Sequence, residues 1–376
     1  MKNIFFYANI QTWDKFSGIR KKVMNQIDAF KELGYEVYYS GYLEDGIGIF
    51  KDNKILLKKK YFFKNEKINH ILRRYLLILL CIQFFKEQKI QFKYSYLRYH
   101  YFDFLYLKLL KLMKKNGSKV IIEAHSYPTY IPGDYFKVLT ILDKIYSKKI
   151  KKYCDLIAAM TNLKKIWGIN TFEIDNVADI NLKKIEMNKE KEENVILIAV
   201  AFEGKTHGYE RIIKGLHEYY KQKRDKKVKI IFIGEYLETT KKLVKNLNLN
   251  EFIQFLGKKN KDELIEYYNR AHIGLGAFGG YKIGISYASI LKTKEYMASG
   301  LPIVTAIDEK ILKGFRYCLK VPNSEEIIKI EKIVEFYKNI DQEGLGNIIQ
   351  EYLLENNLSY KEQSNRLLEK VEGEIK

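Results

Sequence analysis

From position 195 onward, five short apolar runs alternate with four stretches of helical length, and this alternation narrows the fold more than any other feature of the chain. The runs cover 195–202, 228–234, 253–256, 273–278 and 302–306. Between them, apolar spacing predicts helices over 208–221, 237–247, 260–270 and 289–299. The third opens on Asn260 as N-cap, with Glu263 placed to reach back to it. Strands separated by helices need crossover connections, so they run parallel and the helices cover both faces: a doubly wound lobe.

The beginning of the chain repeats the pattern. A β-prone run over 3–9 is followed by a loop with Ser17 and Gly18. A helix over 19–33 carries Val23, Ile27 and Phe30 on one face, Gly34 stops it, and a strand follows over 36–40. Residues 54–115 interleave Lys and Arg with Tyr, Phe and Leu and read as two or three helices with one short strand at 94–99. Further strands are predicted at 120–124, 155–159 and 172–174, a basic helix at 135–153 and a charged amphipathic helix at 357–372. The run NKEKEEN at 188–194 has no apolar residue and reads as a linker or hairpin tip. At 376 residues the chain is too long for one core, so two domains are expected.

Lys and Arg number 66 against 46 Asp and Glu, a net charge of +20. Such a balance suits a phosphorylated ligand, an anionic membrane surface or nucleic acid, or simply a Lys-rich surface. No zinc-finger, RNP-like or basic-helix signature is present, so nucleic acid is not expected as a partner. Cys81, Cys154 and Cys318 stand far apart and fit a reducing, cytoplasmic setting. No apolar run reaches the roughly 18 residues of a membrane span, and the start reads as a strand rather than a signal peptide. KKKYFF, RRYLLILLCIQFF and YLKLLKLMKK within 54–111 suit a peripheral place on an anionic membrane. They suit equally well helices whose lysines snorkel outward over a covered sheet.

The chemistry concentrates in SILKTKEYMASGLPIV, 289–304. A helix opening near Ser289 after a Gly-containing loop (Gly279, Gly280, Gly284) presents unpartnered amides at Ser289, Ile290 and Leu291 and the positive end of its dipole. At the carboxyl edge of a doubly wound sheet, that is a seat for phosphate. Lys292 and Lys294 add charge. Glu295, about one and a half turns in, can accept two hydrogen bonds from the vicinal hydroxyls of a ribose. Gly18 lets backbone approach a ligand closely. His125, just past the strand VIIEA, can donate to a sugar hydroxyl, with Glu123 two residues back on the same face. His207 either faces the phosphates or caps the helix after it. No His/Cys cluster and no Asp-x-Asp on a strand end is present, so no metal is expected; helix amides and lysines would neutralise leaving-group charge.

EYMASGLPIV resembles the E-A-M-A-x-G-x-P-V-V block of the family 4 glycosyltransferases. The wider S-x-L-K-x-x-E-Y-x-A-x-G-x-P is similar to a subgroup that builds bacterial surface polysaccharides. FSGIRKKVMNQIDAFKELGYEVYY is similar to that family's G-G-x-x-R loop, helix and strand, DLIAAMT with DNVAD to its lobe junction, and AFEGKTHGYERIIKGL to the subgroup's H-G-x-x-R helix start. The resemblance implies an α/β GT-B fold of two Rossmann-like doubly wound lobes facing across a cleft. An acceptor-binding lobe would cover 1–180, a nucleotide-sugar-binding lobe 181–355, and a final helix, 356–376, would cross back to the first lobe. It implies a retaining transfer from a nucleoside diphosphate sugar, expected to be UDP-linked, to a glycan or polyprenyl-linked acceptor, without metal or other cofactor, at or near the inner membrane surface. Glu295 would hold the ribose and His125 would lie against the donor sugar. Two positions depart from the family. Tyr287 stands where a second glutamate usually faces the donor sugar. The usual arginine and lysine of the first C-lobe loop fall on Phe202 and His207, leaving Lys205 and Lys292 as candidate cations. A non-transferring nucleotide-sugar binder or epimerase of the same fold is the alternative.

Overall fold

The computed structural model describes residues 2–14, 17–61, 66–125, 127, 137–177, 194–222 and 226–373. The chain forms two compact units, one of residues 1–175 and 358–376, the other of 176–357.

In the first unit, β1 (Asn3–Tyr7), α1 (Gly18–Glu32), β2 (Glu36–Leu43), β3 (Gly46–Lys51), β4 (Lys54–Lys60), α2 (Glu66–Glu87), β5 (Tyr94–Arg98), α3 (Phe104–Lys115), β6 (Lys119–Ala124), α4 (Lys137–Ser147), β7 (Leu156–Ala159), β8 (Lys165–Ile166) and β9 (Ile169–Glu173) follow in order. The strands form one sheet ordered β4-β3-β2-β1-β5-β6-β7-β9-β8. Strands β2, β1, β5, β6, β7 and β9 are parallel; the β2–β3, β3–β4 and β8–β9 pairs are antiparallel. Alternate residues of β1 enter opposite cores. Phe5 and Tyr7 pack with α2 and α3, Ile4 and Phe6 with α1 and the C-terminal α11 (Tyr360–Glu372). Both faces are buried, so the strand reads as an unbroken apolar run. Ser17 caps α1 and Asp103 caps α3, each accepting an amide three residues on.

The strand at Lys54–Lys60 falls inside the region predicted as helical. KILLKKK lies exposed along almost its whole length at the sheet edge, where lysines discourage pairing with another chain; no core face imposes a period on its sequence. The hairpin is close enough that a Cβ on Gly46 would lie 2.2 Å from the Lys59 carbonyl oxygen. The helix predicted over 135–153 is α4, ending at Ser147. The predicted linker at 188–194 lies outside the described residues save for Asn194.

The second unit comprises β10 (Asn194–Phe202), α5 (Glu210–Tyr220), β11 (Lys227–Glu235), α6 (Glu238–Asn246), β12 (Ile253–Phe255), α7 (Lys261–Arg270), β13 (Ile273–Leu275), α8 (Leu291–Ala298), β14 (Ile303–Thr305), β15 (Cys318–Lys320), α9 (Ile330–Lys338) and α10 (Leu345–Asn356). Its sheet is parallel throughout, ordered β12-β11-β10-β13-β14-β15. Apolar clusters fill both faces. The Asn260–Glu263 capping box opens α7, and β15, α9 and α10 complete the unit beyond the elements predicted from the sequence.

Candidate active site

In a doubly wound sheet, ligands settle at the carboxyl ends of the strands where the strand order reverses. In the second unit that point lies between β10 and β13. The loops leaving these strands touch there. Phe278 N donates to the His207 carbonyl (2.8 Å) and Gly279 N to that of Thr206 (2.9 Å). A Cβ on Gly208, at φ +59°, would lie 2.6 Å from Gly279 N, and one on Gly279 would lie 2.3 Å from the Lys205 carbonyl oxygen, so only glycines allow this approach. Buried Arg211, in the first turn of α5, locks the edge by donating to the carbonyls of Phe278 (2.6 Å), Pro322 (2.9 Å) and Glu326 (2.7 Å).

Helix α8 begins at this edge, and part of its start is already occupied by the chain itself. The buried Glu309 carboxylate accepts from Ile290 N (2.8 Å), Thr293 Oγ1 (2.5 Å) and Lys294 Nζ (3.0 Å). Ser289 Oγ accepts from Asn176 N (2.8 Å) and Lys294 Nζ (3.1 Å), while Asn176 Nδ2 donates to the Ser289 carbonyl (2.8 Å). Of the predicted phosphate donors, the Ile290 amide is therefore committed to an internal carboxylate, and Ser289 serves to tether the helix start. The amides of Leu291 and Lys292 are left as first-turn donors, which an α-helix cannot satisfy internally. Glu295 lies half-buried in the next turn.

The two candidate cations differ in placement. Lys205 is exposed on the loop after β10. Lys292 is turned inward, its Nζ donating to Tyr209 Oη (2.6 Å) and the Gly276 carbonyl (2.8 Å). Burial pulls its pKa down to about 7, against an opposing pull from Glu309. His207 is fixed within its own loop, Nδ1 accepting from Gly204 N (2.9 Å); burial and nearby Lys292 hold it neutral, with a pKa of about 3. Half-buried Tyr287 forms an isolated parallel bridge with Asp308, which pins the loop before α8 to the segment carrying Glu309.

The first unit's strand order reverses between β1 and β5. Gly18 opens α1 there, exposed. Glu123, near the end of β6, is sealed from solvent. Its Oε1 accepts from Lys22 Nζ (3.0 Å) and its Oε2 from Tyr96 Oη (2.8 Å) and Gln26 Nε2 (3.2 Å). Burial alone would raise this carboxyl, but Lys22, Arg98 and His125 outweigh it and hold the pKa at about 2. Through these contacts Glu123 anchors α1 to the sheet. His125 is half-buried; burial, then Arg98, lowers its pKa to about 3, so its imidazole is neutral. Lys22 and Arg98 carry no local sequence signal for this role, since Lys22 meets Glu123 only across 101 positions.

Among the described residues no cluster of three or more His, Cys, Asp or Glu side chains could hold a metal ion, and no helix is long and apolar enough to cross a membrane. Residues 179–335 match the model of the family described as glycosyl transferases group 1. No curated protein sequence matches the chain. Solved structures similar to it include a glycosyltransferase from Rickettsia africae ESF-5 (TM-score 0.66, 14% identity, 99% of this chain and 98% of that one). A sucrose-phosphate synthase from Thermosynechococcus elongatus also aligns (TM-score 0.68, 12% identity, 100% of both chains). So does an α,α-trehalose 6-phosphate synthase from Burkholderia multivorans (TM-score 0.67, 12% identity, 99% of both chains). At these identities the likeness speaks for the fold, which is that of the GT-B glycosyltransferases, built of two Rossmann-like lobes.

Proposed function

We propose that the chain transfers a glycosyl group, with retention, from a nucleoside diphosphate sugar to a hydroxyl of a glycan or lipid-linked acceptor, in the assembly of a cell-surface polysaccharide. The observation that carries this reading is the start of α8 at the strand-order reversal of the second unit, with Glu295 in the following turn, inside the segment matched by the glycosyl transferase family. Glu295 accepts from the ribose diol. The first-turn amides of α8 and Lys205 hold the diphosphate, and UDP is the expected nucleotide. Lys292 acts from beneath through Tyr209 and the Gly276 carbonyl, and neutral His125 hydrogen-bonds a sugar hydroxyl.

In the transfer, the bond from the anomeric carbon to the phosphate oxygen breaks while the acceptor oxygen attacks from the same face. The acceptor's proton passes to the departing phosphate oxygen, so no protein base is required. Charge on that oxygen is met by amides and Lys205, without a divalent ion. The exposed strand β4, with Ile55 and Leu56 between lysines, supports a peripheral place on an anionic membrane. The test is turnover. The purified chain is incubated with a panel of nucleoside diphosphate sugars and a lipid and glycan acceptor extract, with EDTA in a parallel series. Acceptor-dependent release of nucleoside diphosphate that survives chelator is expected. A donor bound without release assigns a binder, an isomerised donor assigns an epimerase, and activity restored only by manganese or magnesium overturns the metal-free step.

A further inference from the structure

Three arginines are almost wholly buried, and two of them have acceptors, although the Arg74 Nε is also sealed without a partner. Arg74 pairs with the Asp103 carboxylate and the Tyr101 carbonyl. Arg211 holds three carbonyls. Arg98, 5% exposed, makes no hydrogen bond or ion pair among the described residues, and its Nε is sealed from solvent without a partner. A guanidinium taken out of water without an acceptor is strongly unfavourable.

Its surroundings sharpen the point. Arg98 is the last residue of β5, at the carboxyl edge of the first unit's sheet and beside the strand-order reversal. It stands in register with Glu123 on β6, the natural acceptor. Both Glu123 oxygens are instead taken by Lys22, Gln26 and Tyr96. His125, just beyond β6, has a buried Nδ1 with no partner either. Around His125 the fold therefore gathers two cations, Lys22 and Arg98, and one carboxylate already saturated with donors. Asp175 weighs on Lys22.

We propose that Arg98, with His125 beside it, seats an oxyanion, a carboxylate or phosphate, carried by the molecule that the first unit receives. A planar guanidinium matches either group through two parallel hydrogen bonds. This deepens the acceptor assignment above and rests on it: the acceptor would be an acidic sugar or a sugar phosphate rather than a neutral one.

The test is binding without nucleotide, so it does not depend on whether the chain transfers sugar. Thermal melting of the full chain is followed at matched ionic strength against glucuronate, glucose 6-phosphate and glucose. One or both charged sugars should raise the melting temperature in a saturable way, and glucose should not. A response to glucuronate alone assigns a carboxylate, and one to glucose 6-phosphate alone a phosphate. Arg98→Met should weaken the charged-sugar response tenfold or more while its ligand-free melting temperature stays at or above the parent's, because no unpaired guanidinium remains buried. Three results would each overturn the proposal: no response to either charged sugar, an equal response in Arg98→Met, or a ligand-free melting temperature several degrees below the parent's, which would make Arg98 a structural cation.

Discussion

Replacing Glu309 by Gln isolates the internal carboxylate that holds the start of α8. Glu309 and Lys294 are both fully buried at the side chain and lie 3.0 Å apart. Removing one member of such a pair strands the other's charge and typically costs about 3–5 kcal/mol. For a domain of this size each kcal/mol moves the midpoint by roughly 2–4 °C, so Glu309→Gln should lower the melting of the second unit by roughly 6–20 °C. The Lys294→Met, Glu309→Leu double variant should recover most of the loss, because an apolar pair leaves no charge to compensate. Scanning calorimetry on parent, single and double variants reads this directly, provided the transitions of the two units are assigned separately. A single variant that melts with the parent, or a double variant less stable than the single, would refute the reasoning.

Three further outcomes follow. Between pH 7 and 10.5 the native chain has lost the Lys292 proton while the unfolded chain keeps it, so this group makes stability rise with pH across that window; it destabilises the fold most below pH 7. Urea midpoints of Lys292→Met should lack this component, and pH profiles parallel to the parent's would contradict the inward, desolvated placement. Lys205→Ala should depress turnover at least tenfold while leaving nucleoside binding intact; an unchanged rate moves the diphosphate elsewhere. The chain should sediment with anionic liposomes at low salt, release at high salt, and ignore neutral ones, since the attraction decays over a Debye length; indifference to both kinds at low salt removes the membrane from the account.

The second unit was largely legible in the sequence because its strands and helices obey separate periods and its glycines fall where the chain must turn. Asn260 and Glu263 specified their capping box within four residues. The hairpin partner at Lys54–Lys60 was not legible, since a strand exposed on both faces carries no alternation. The candidate site divided on the same principle. Local signals placed Glu295 and the start of α8 at the sheet edge. Long-range pairings escaped: Lys22 reaches Glu123 across 101 positions, and Glu309 returns to Ile290 across 19. Nothing in either local sequence distinguishes these groups from solvated surface charges.

The most direct test of the nucleotide assignment is calorimetric titration of nucleoside diphosphates, UDP first, into the parent and Glu295→Ala. A charge-assisted contact from the half-buried Glu295 to a ribose diol is worth ~1.5–3 kcal/mol, so the variant should bind the same nucleotide at least about tenfold more weakly with its fold intact. Equal affinity in the two proteins, or no binding of any nucleoside diphosphate by the parent, would contradict the account.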